Sequence, residues 1–377
     1  MKTNKKIHQV LVSREFGGAA EIALQLASRL ELASPGQARV WVPGEGHAAE
    51  RVRSLGLPPL MYDGEGIFSR WRLRAATANV RNAIRFRSRG SGVMHVHSPL
   101  VYGAMQYGLR MTSLKRIVHV HIEHALDGLR WAFRNPPDLI VTCAQFLVDQ
   151  VRSVLPPAVR DRQRIVAVPN AVDTAKFVPG NKPEAKQRLG ASSSRPLLLM
   201  LANLAPHKGQ ETAIRAISML KQRGQNVSCW LAGTDRSPGK QFETKLRRTI
   251  DVLGLQESVK LLGYRQDSTA LLQAADIVLL PSTNEGLPLT VLEAQACCVP
   301  VIAAPTAGIP EIIRDGETGF LVPADDVEGY AARIELLIGN PQLCKQLGER
   351  ASTYCREHHT WEAYHRKMTD LYVELLG

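Results

Sequence analysis

The segment Asn284–Ala296, N-E-G-L-P-L-T-V-L-E-A-Q-A, sets two carboxylates eight residues apart. Glu285 falls in a Gly/Pro-bearing turn. Glu293 falls inside a following helix, whose Leu287, Val291 and Ala294 can face a core while Glu293 does not. Pro288 stands where a first helical residue would stand, and its missing N–H costs nothing there. The unpaired amides of that first turn, with the positive end of the helix dipole, form a site for phosphate. One short segment thus offers a carboxylate in a turn, anion-binding amides and a second carboxylate. That set suits a phosphorylated sugar, with Glu for hydroxyls and amides for phosphate.

Other candidates lie where strand-like runs end. Lys208, in L-A-N-L-A-P-H-K-G-Q, follows an apolar run and can reach a pyrophosphate as a flexible point charge. Taken alone it is a surface lysine. The loop S-R-E-F-G-G-A-A-E opens the first helix, and Gly17 and Gly18 allow close backbone approach to a ligand. Taken alone it is a tight strand–helix turn. It is not G-x-G-x-x-G, so a nicotinamide-binding fingerprint is absent and a dehydrogenase is disfavoured. His97 follows the strand at Val93. His119 and His121 alternate along R-I-V-H-V-H and share a face. His121 is nearer the carboxyl end, where ligands sit, and His124 is the competing register. The histidines lack a close acidic partner set, and no D-x-D occurs, so no metal site is expected. The pair Asp325-Asp326 reads as a helix cap.

The elements that must hold these residues form two series. Ile7–Val12, Ala38–Val42, Val93–Val96, Ile117–Val120, Leu139–Thr142 and Ile165–Val168 read as strands, with helices such as Ala19–Leu32 and Ala144–Val154 between them. Leu197–Leu201, Val227–Ala232, Val259–Leu262, Ile277–Leu280, Val299–Ala303 and Gly319–Leu321 form the second series. A connector rich in Pro, Gly, Asn and Ser is expected over Pro169–Pro196. This β/α alternation predicts an α/β protein of two doubly wound parallel sheets, with ligands at the carboxyl ends of strands and a cleft for two substrates. A length of 377 residues fits two domains.

The E-x7-E pair follows the apolar strand Asp276–Pro281 and precedes P-T-A-G-I-P-E. In this order it resembles the retaining GT-B glycosyltransferases of the large glycogen-synthase-like family four, over nearly the whole chain. The resemblance implies GT-B architecture, two Rossmann-like domains facing a central cleft. Residues 1–170 would be acceptor-binding and 171–359 nucleotide-sugar-binding, with the last helix, 360–377, packed back on the first domain. It implies transfer from a nucleotide-diphosphate sugar, UDP being the expected nucleotide, without metal or other cofactor. Glu285, His121 and Lys208 would be catalytic. Gly18, Asn203, Lys208, Glu285, Gly286, Leu287, Glu293 and Gly308 would meet the donor, and Gly17 and His97 the acceptor side. Glu293 would hold the ribose, and the amides of Gly286, Leu287 and Gly308 the diphosphate. Asn170-Ala171-Val172-Asp173 resembles the family's N-G-V-D at the domain junction. The family usually carries an Arg a few residues before Lys208, where this chain has Asn203 and Ala205. Either His207 or Arg14 supplies the second charge, or diphosphate binding is weaker. The alternatives are an epimerase of GT-B architecture and a noncatalytic sugar-nucleotide-binding protein.

The net charge is +12. From Met1 to Val168 there are 24 Lys+Arg against 12 Asp+Glu, and from Pro169 to Gly377 there are 23 of each, so the first half carries the whole excess. Its densest part is Ser69–Gly90. Arg70, Arg74, Arg81 and Arg85 share one helical face, and Leu73, Ala76, Val80 and Ile84 another. Either the apolar stripe packs on the sheet and the arginines are solvated, or the helix lies against anionic headgroups. The asymmetry favours an anionic membrane or a glycan, glycolipid or other anionic acceptor, and no nucleic-acid motif accompanies it. No apolar run reaches the roughly 18 residues of a membrane span, and the amino terminus reads as a first strand rather than a signal peptide. The six cysteines form no C-x-x-C and fit free thiols in a reducing cytoplasm. A cytoplasmic protein, peripheral on the inner face of the cytoplasmic membrane, is expected.

Overall fold

The computed structural model describes residues 5–15 and 17–377. Residues 1–4, read above with the first strand, and Phe16 of the glycine loop lie outside the described residues. The chain divides into two units, Met1–Asn170 with Glu362–Gly377, and Ala171–Trp361.

The first unit is built on seven parallel strands: β1 (Lys6–Val10), β2 (Ala38–Val42), β3 (Pro59–Met61), β4 (Gly92–Val96), β5 (Lys115–Val120), β6 (Leu139–Thr142) and β7 (Ile165–Ala167). Their order is β3-β2-β1-β4-β5-β6-β7. The second unit has six: β8 (Leu197–Leu201), β9 (Ser228–Ala232), β10 (Val259–Gly263), β11 (Ile277–Leu280), β12 (Val301–Ala303) and β13 (Phe320–Leu321), ordered β10-β9-β8-β11-β12-β13. Central strands such as LIVT in β6 and IVLL in β11 are buried along their whole length. Unbroken apolar runs of this kind mark parallel strands covered on both faces. In each sheet the order reverses once, between β1 and β4 and between β8 and β11. Loops part at such a point and leave a crevice at the carboxyl ends of the strands.

Three sequence expectations are corrected. The strand β3 was not expected; it is a three-residue edge strand beginning with Pro59, and an edge tolerates the missing N–H. The stretch expected as a connector, Pro169–Pro196, is structured rather than a bare linker. Within it, Lys182–Arg188 is helical, and Lys182 and Lys186 bond the two oxygens of Asp276 at 2.9 and 2.6 Å. Burial alone would raise that carboxyl, but the charge of Lys182 and the bond from Lys186 hold it below the ordinary range. The unit boundary falls at Asn170/Ala171, where Val172 N–H donates to the His359 carbonyl at 2.9 Å. The third correction concerns the basic helix, Arg72–Ser88. Its buried residues are Ala78, Asn79, Asn82, Ala83 and Phe86, whereas Leu73, Val80 and Ile84 are exposed. Of the two readings of this helix, the one that packs its apolar stripe on the sheet is overturned, because the stripe faces solvent.

The final helix, Trp361–Leu376, belongs to the first unit from Glu362 onward. Tyr372 is fully buried and accepts a bond from Gln9 Nε2 of β1 at 2.9 Å. The six cysteines form no disulfide among the described residues. Among the described residues, no helix is long and apolar enough to cross a membrane.

Candidate active site

In the second unit the site is made where β8 and β11 part. After β8 the chain passes through Asn203 into a single tight turn, Pro206–Lys208, and then into the helix Gln210–Gln222. Gly209 links the two with φ +73, a left-handed value that favours glycine. A Cβ there would lie 2.0 Å from the carbonyl oxygen of Pro281, which follows β11. Glycine thus lets the two loops touch backbone to backbone. Thr283 N–H donates to the His207 carbonyl at 2.9 Å and fastens them together.

This contact delivers Lys208 to Glu285. The Lys208 ammonium donates to Glu285 Oε1 at 2.7 Å, with both side chains largely buried. Gly286 and Leu287 follow in the same turn and are buried. The helix then runs from Leu289 to Ala296, with Pro288 as its N-cap rather than its first residue. This is a one-residue correction, because the extended φ/ψ of Pro288 lies outside the helix. Thr290 Oγ1 anchors the first turn by donating to the Leu201 carbonyl at the end of β8. Glu293 is half-buried on the helix.

Two donor-side expectations need amendment. The Gly308 amide was expected to meet a diphosphate; it donates instead to the Gly286 carbonyl at 2.9 Å. Gly308 therefore fixes the Glu285 turn. His207 was a candidate second cation. Burial lowers its pKa, assisted by the Lys208 charge and opposed by Glu285, which makes it a poor second cation. The other candidate, Arg14, pairs with Glu65 at 2.7 Å within the first unit. Asn203 is exposed, and its carbonyl accepts from Gln210 Nε2.

In the first unit, Gly17 caps the helix Gly18–Ala33, and nothing lies within 4 Å of the place its Cβ would occupy. Its φ of −159 is extended, so the fold itself does not call for glycine there. His97 and His121 are buried just past the ends of β4 and β5. The structure adds a residue that sequence reasoning passed over, His95, which shares a face of β4 with His97 by the two-residue strand period. The signal was present in H-V-H. The imidazoles of His95, His97, His119 and His121 stack, with centroids 3.9 Å apart for His119–His121 and 4.2 Å for His95–His97.

A directed hydrogen-bond chain runs through this stack. Gln9 Oε1 accepts from His97 Nε2 at 2.7 Å, so His97 carries its proton there. His97 Nδ1 is then the acceptor for His121 Nε2–H at 2.9 Å. From Gln9 the chain continues to Tyr372, whose hydroxyl contacts His95 Nδ1 at 2.7 Å. His121 Nδ1 and both ring nitrogens of His119 have no partner among the described residues. Burial drives His95 and His121 down to about 3 and His97 and His119 well below the ordinary value. All four are neutral at pH 7. The ring nitrogens of His95, His97 and His119 lie within 4.8 Å of one another. The rings are stacked, however, with His95 and His119 only 4° from parallel. Lone pairs lie in the ring plane, so parallel rings do not converge on one ion at the roughly 2.0 Å that imidazole coordination needs.

Residues 181–354 match the family described as Glycosyl transferases group 1. The chain is 28% identical over 292 residues to a D-inositol 3-phosphate glycosyltransferase of Corynebacterium efficiens, covering 71% of this chain and 68% of that one. In structure it is similar to a glycosyltransferase from Rickettsia africae, with a TM-score of 0.83, 21% identity and 99% of each chain covered. It is also similar to Anabaena HepE solved with UDP-glucose, with a TM-score of 0.84, 19% identity, and 98% of this chain and 99% of that one covered. The fold is α/β with two Rossmann-like units, as in GT-B glycosyltransferases.

Proposed function

We infer that this chain, which belongs to the group 1 glycosyl transferases, moves a sugar from a UDP-sugar to a hydroxyl of a glycan or lipid-linked acceptor. The reading is of a metal-independent transfer that retains the anomeric configuration. The observation that carries it is the Lys208–Glu285 pair, held at the strand-order reversal of the unit that matches the family. Lys208 and the Gly286 and Leu287 amides take the diphosphate, where charge grows as the bond breaks. Glu285 binds sugar hydroxyls and offsets positive charge at the anomeric carbon. Glu293 takes the ribose hydroxyls. Asn203 borders the diphosphate as a neutral contact, and Gly308 acts through the turn it fixes.

The acceptor oxygen forms the new bond to the anomeric carbon. The bond to the diphosphate oxygen breaks, and its electron pair leaves with UDP. The departing phosphate oxygen accepts the acceptor proton from the same side. His121 positions the transferred sugar through its unused Nδ1, with Gly17, Gly18 and His97 on the acceptor side.

The acceptor is read from charge. The first half carries the entire excess of +12, which suits an anionic or lipid-linked acceptor at the inner face of a membrane. The relatives named D-inositol 3-phosphate glycosyltransferases have an anionic acceptor in their name. The test is UDP-glucose binding by calorimetry, with UDP release measured alongside. Wild type should bind and Lys208→Ala should not. Equal binding by both would refute the assignment. Donor consumption without any acceptor would favour the epimerase reading.

A further inference from the structure

We propose that the outward face of the helix Arg72–Ser88, with the turn before it, seats in the headgroup layer of an anionic bilayer. This rests on the lipid-linked acceptor reading and names the surface that meets the lipid. The helix is amphipathic the wrong way round for a free-standing globular protein. It is anchored to its own unit largely through small and polar residues. Asn79 Nδ2 donates to the Ala104 carbonyl at 3.1 Å, and Asn79 Oδ1 accepts from Gly108 N–H at 3.1 Å. Asn82 Oδ1 accepts from Asp63 N–H at 2.9 Å. The larger aliphatic residues point outward. Trp71 and Leu73 are each 78% exposed, Ile84 61%, Phe68 53% and Val80 41%. Surface apolar residues are ordinary when scattered, but a contiguous group marks an interaction site.

The charges around this group identify what covers it. Between Phe68 and Gly90 there are seven arginines, 70, 72, 74, 81, 85, 87 and 89, and no Asp or Glu. All seven are exposed, and none forms an ion pair among the described residues. At 100° per residue, Arg74, Arg81 and Arg85 flank one side of the Leu73–Val80–Ile84 stripe, and Arg72 lies on the other. An apolar stripe bordered by cations, with an exposed tryptophan at its start, suits insertion along the plane of an anionic interface. A second copy of the chain is the poorer occupant. A twofold contact would set the same unpaired arginines against one another, and like charges across an interface are costly.

The experiment is flotation of the full chain with vesicles of phosphatidylcholine, alone or mixed with phosphatidylglycerol. Binding is expected only to the mixed vesicles. The exposed-site variant Leu73→Glu/Ile84→Glu should weaken it about tenfold or more, because apolar area and charge both drive interfacial binding. Replacing Arg74, Arg81 and Arg85 by Gln should weaken it on the order of a hundredfold. An unchanged thermal midpoint confirms that each variant is folded. Vesicle binding should also blue-shift tryptophan emission, and Trp71→Phe should abolish the shift. Failure of wild type to bind, or equal binding by the Leu73→Glu/Ile84→Glu variant, overturns the proposal. A concentration-dependent dimer dissolved by that variant also overturns it and gives the face to a second copy. Stabilisation by UDP, measured without vesicles, reports on the donor reading alone, so the two can fail separately.

Discussion

The Lys208 ammonium and the Glu285 carboxylate lie 2.7 Å apart, each the polar partner of the other. They come from loops that leave neighbouring strands, so the distance is a property of the strand-order reversal rather than of either loop. The pair also keeps a largely buried lysine in place until a diphosphate competes for it.

Breaking this pair should affect chemistry and stability differently at its two ends. Lys208→Ala and Glu285→Gln should each lower turnover by about 10²–10³, the usual range for one lost electrostatic contact in a transition state. Lys208→Ala should also destabilise the fold by on the order of 3 kcal/mol, because it strands a carboxylate that is only 9% exposed. Glu285→Gln should cost less, since an amide still accepts from Lys208, whose side chain is 19% exposed. Steady-state kinetics with denaturant titrations would separate the effects. Near wild-type turnover in either variant would contradict the roles given.

Two glycines should respond oppositely to the same change. Gly209→Ala forces a positive φ on alanine and drives Cβ against the Pro281 carbonyl. A loss of more than about 2 kcal/mol is expected, together with loss of UDP binding as Lys208 is displaced. Gly17→Ala enters open space with extended backbone. Its thermal midpoint should hold while transfer falls, if a ligand approaches that loop. Unchanged kinetics in Gly17→Ala would remove Gly17 from the site.

Acid should unfold the protein through its histidines before its carboxylates. Burial lowers His95 and His121 from 6.5 to about 3, and His8 to about 4. The folded chain keeps them neutral where the unfolded chain binds protons. Their contribution is therefore intact above pH 6.5 and is lost as the pH falls toward those lowered values. Each should remove about 1.4 kcal/mol per pH unit within that window. Urea midpoints should be flat above pH 7 and fall steeply below 6. A flat profile down to pH 5 would mean that these rings are not buried and neutral.

Tyr372→Phe removes the hydroxyl that joins Gln9 to His95. Two buried polar groups lose their partner, at a cost of about 1–3 kcal/mol. The chain from Gln9 through His97 to His121 should also lose definition, so transfer should fall more than donor binding does. Equal stability of variant and wild type would show that the hydroxyl is not engaged.

Much of this was legible in residue order. Apolar runs such as LLLML and IVLL announce covered parallel strands, and the sheets follow from their alternation with helices. Glu285 and Lys208 were legible because each follows such a run at its carboxyl end. The short edge strand at Pro59 was hidden, since three residues carry no period. The outward turn of Leu73 and Ile84 was hidden for a different reason. A helical wheel finds two apolar faces on this helix, and the bonds of Asn79 and Asn82 decide which one is buried. The engagement of the Gly308 amide by Gly286 depends on two loops meeting in space, which no local pattern records.

The first unit is written in two pieces, Met1–Asn170 and Glu362–Gly377, with the whole second unit between them. During synthesis the ribosome must make the later unit before the earlier one can be finished. Until Tyr372 emerges, Gln9 Nε2 and His95 Nδ1 lack the hydroxyl that joins them. The nascent first unit thus waits, incomplete, through the making of about half the protein.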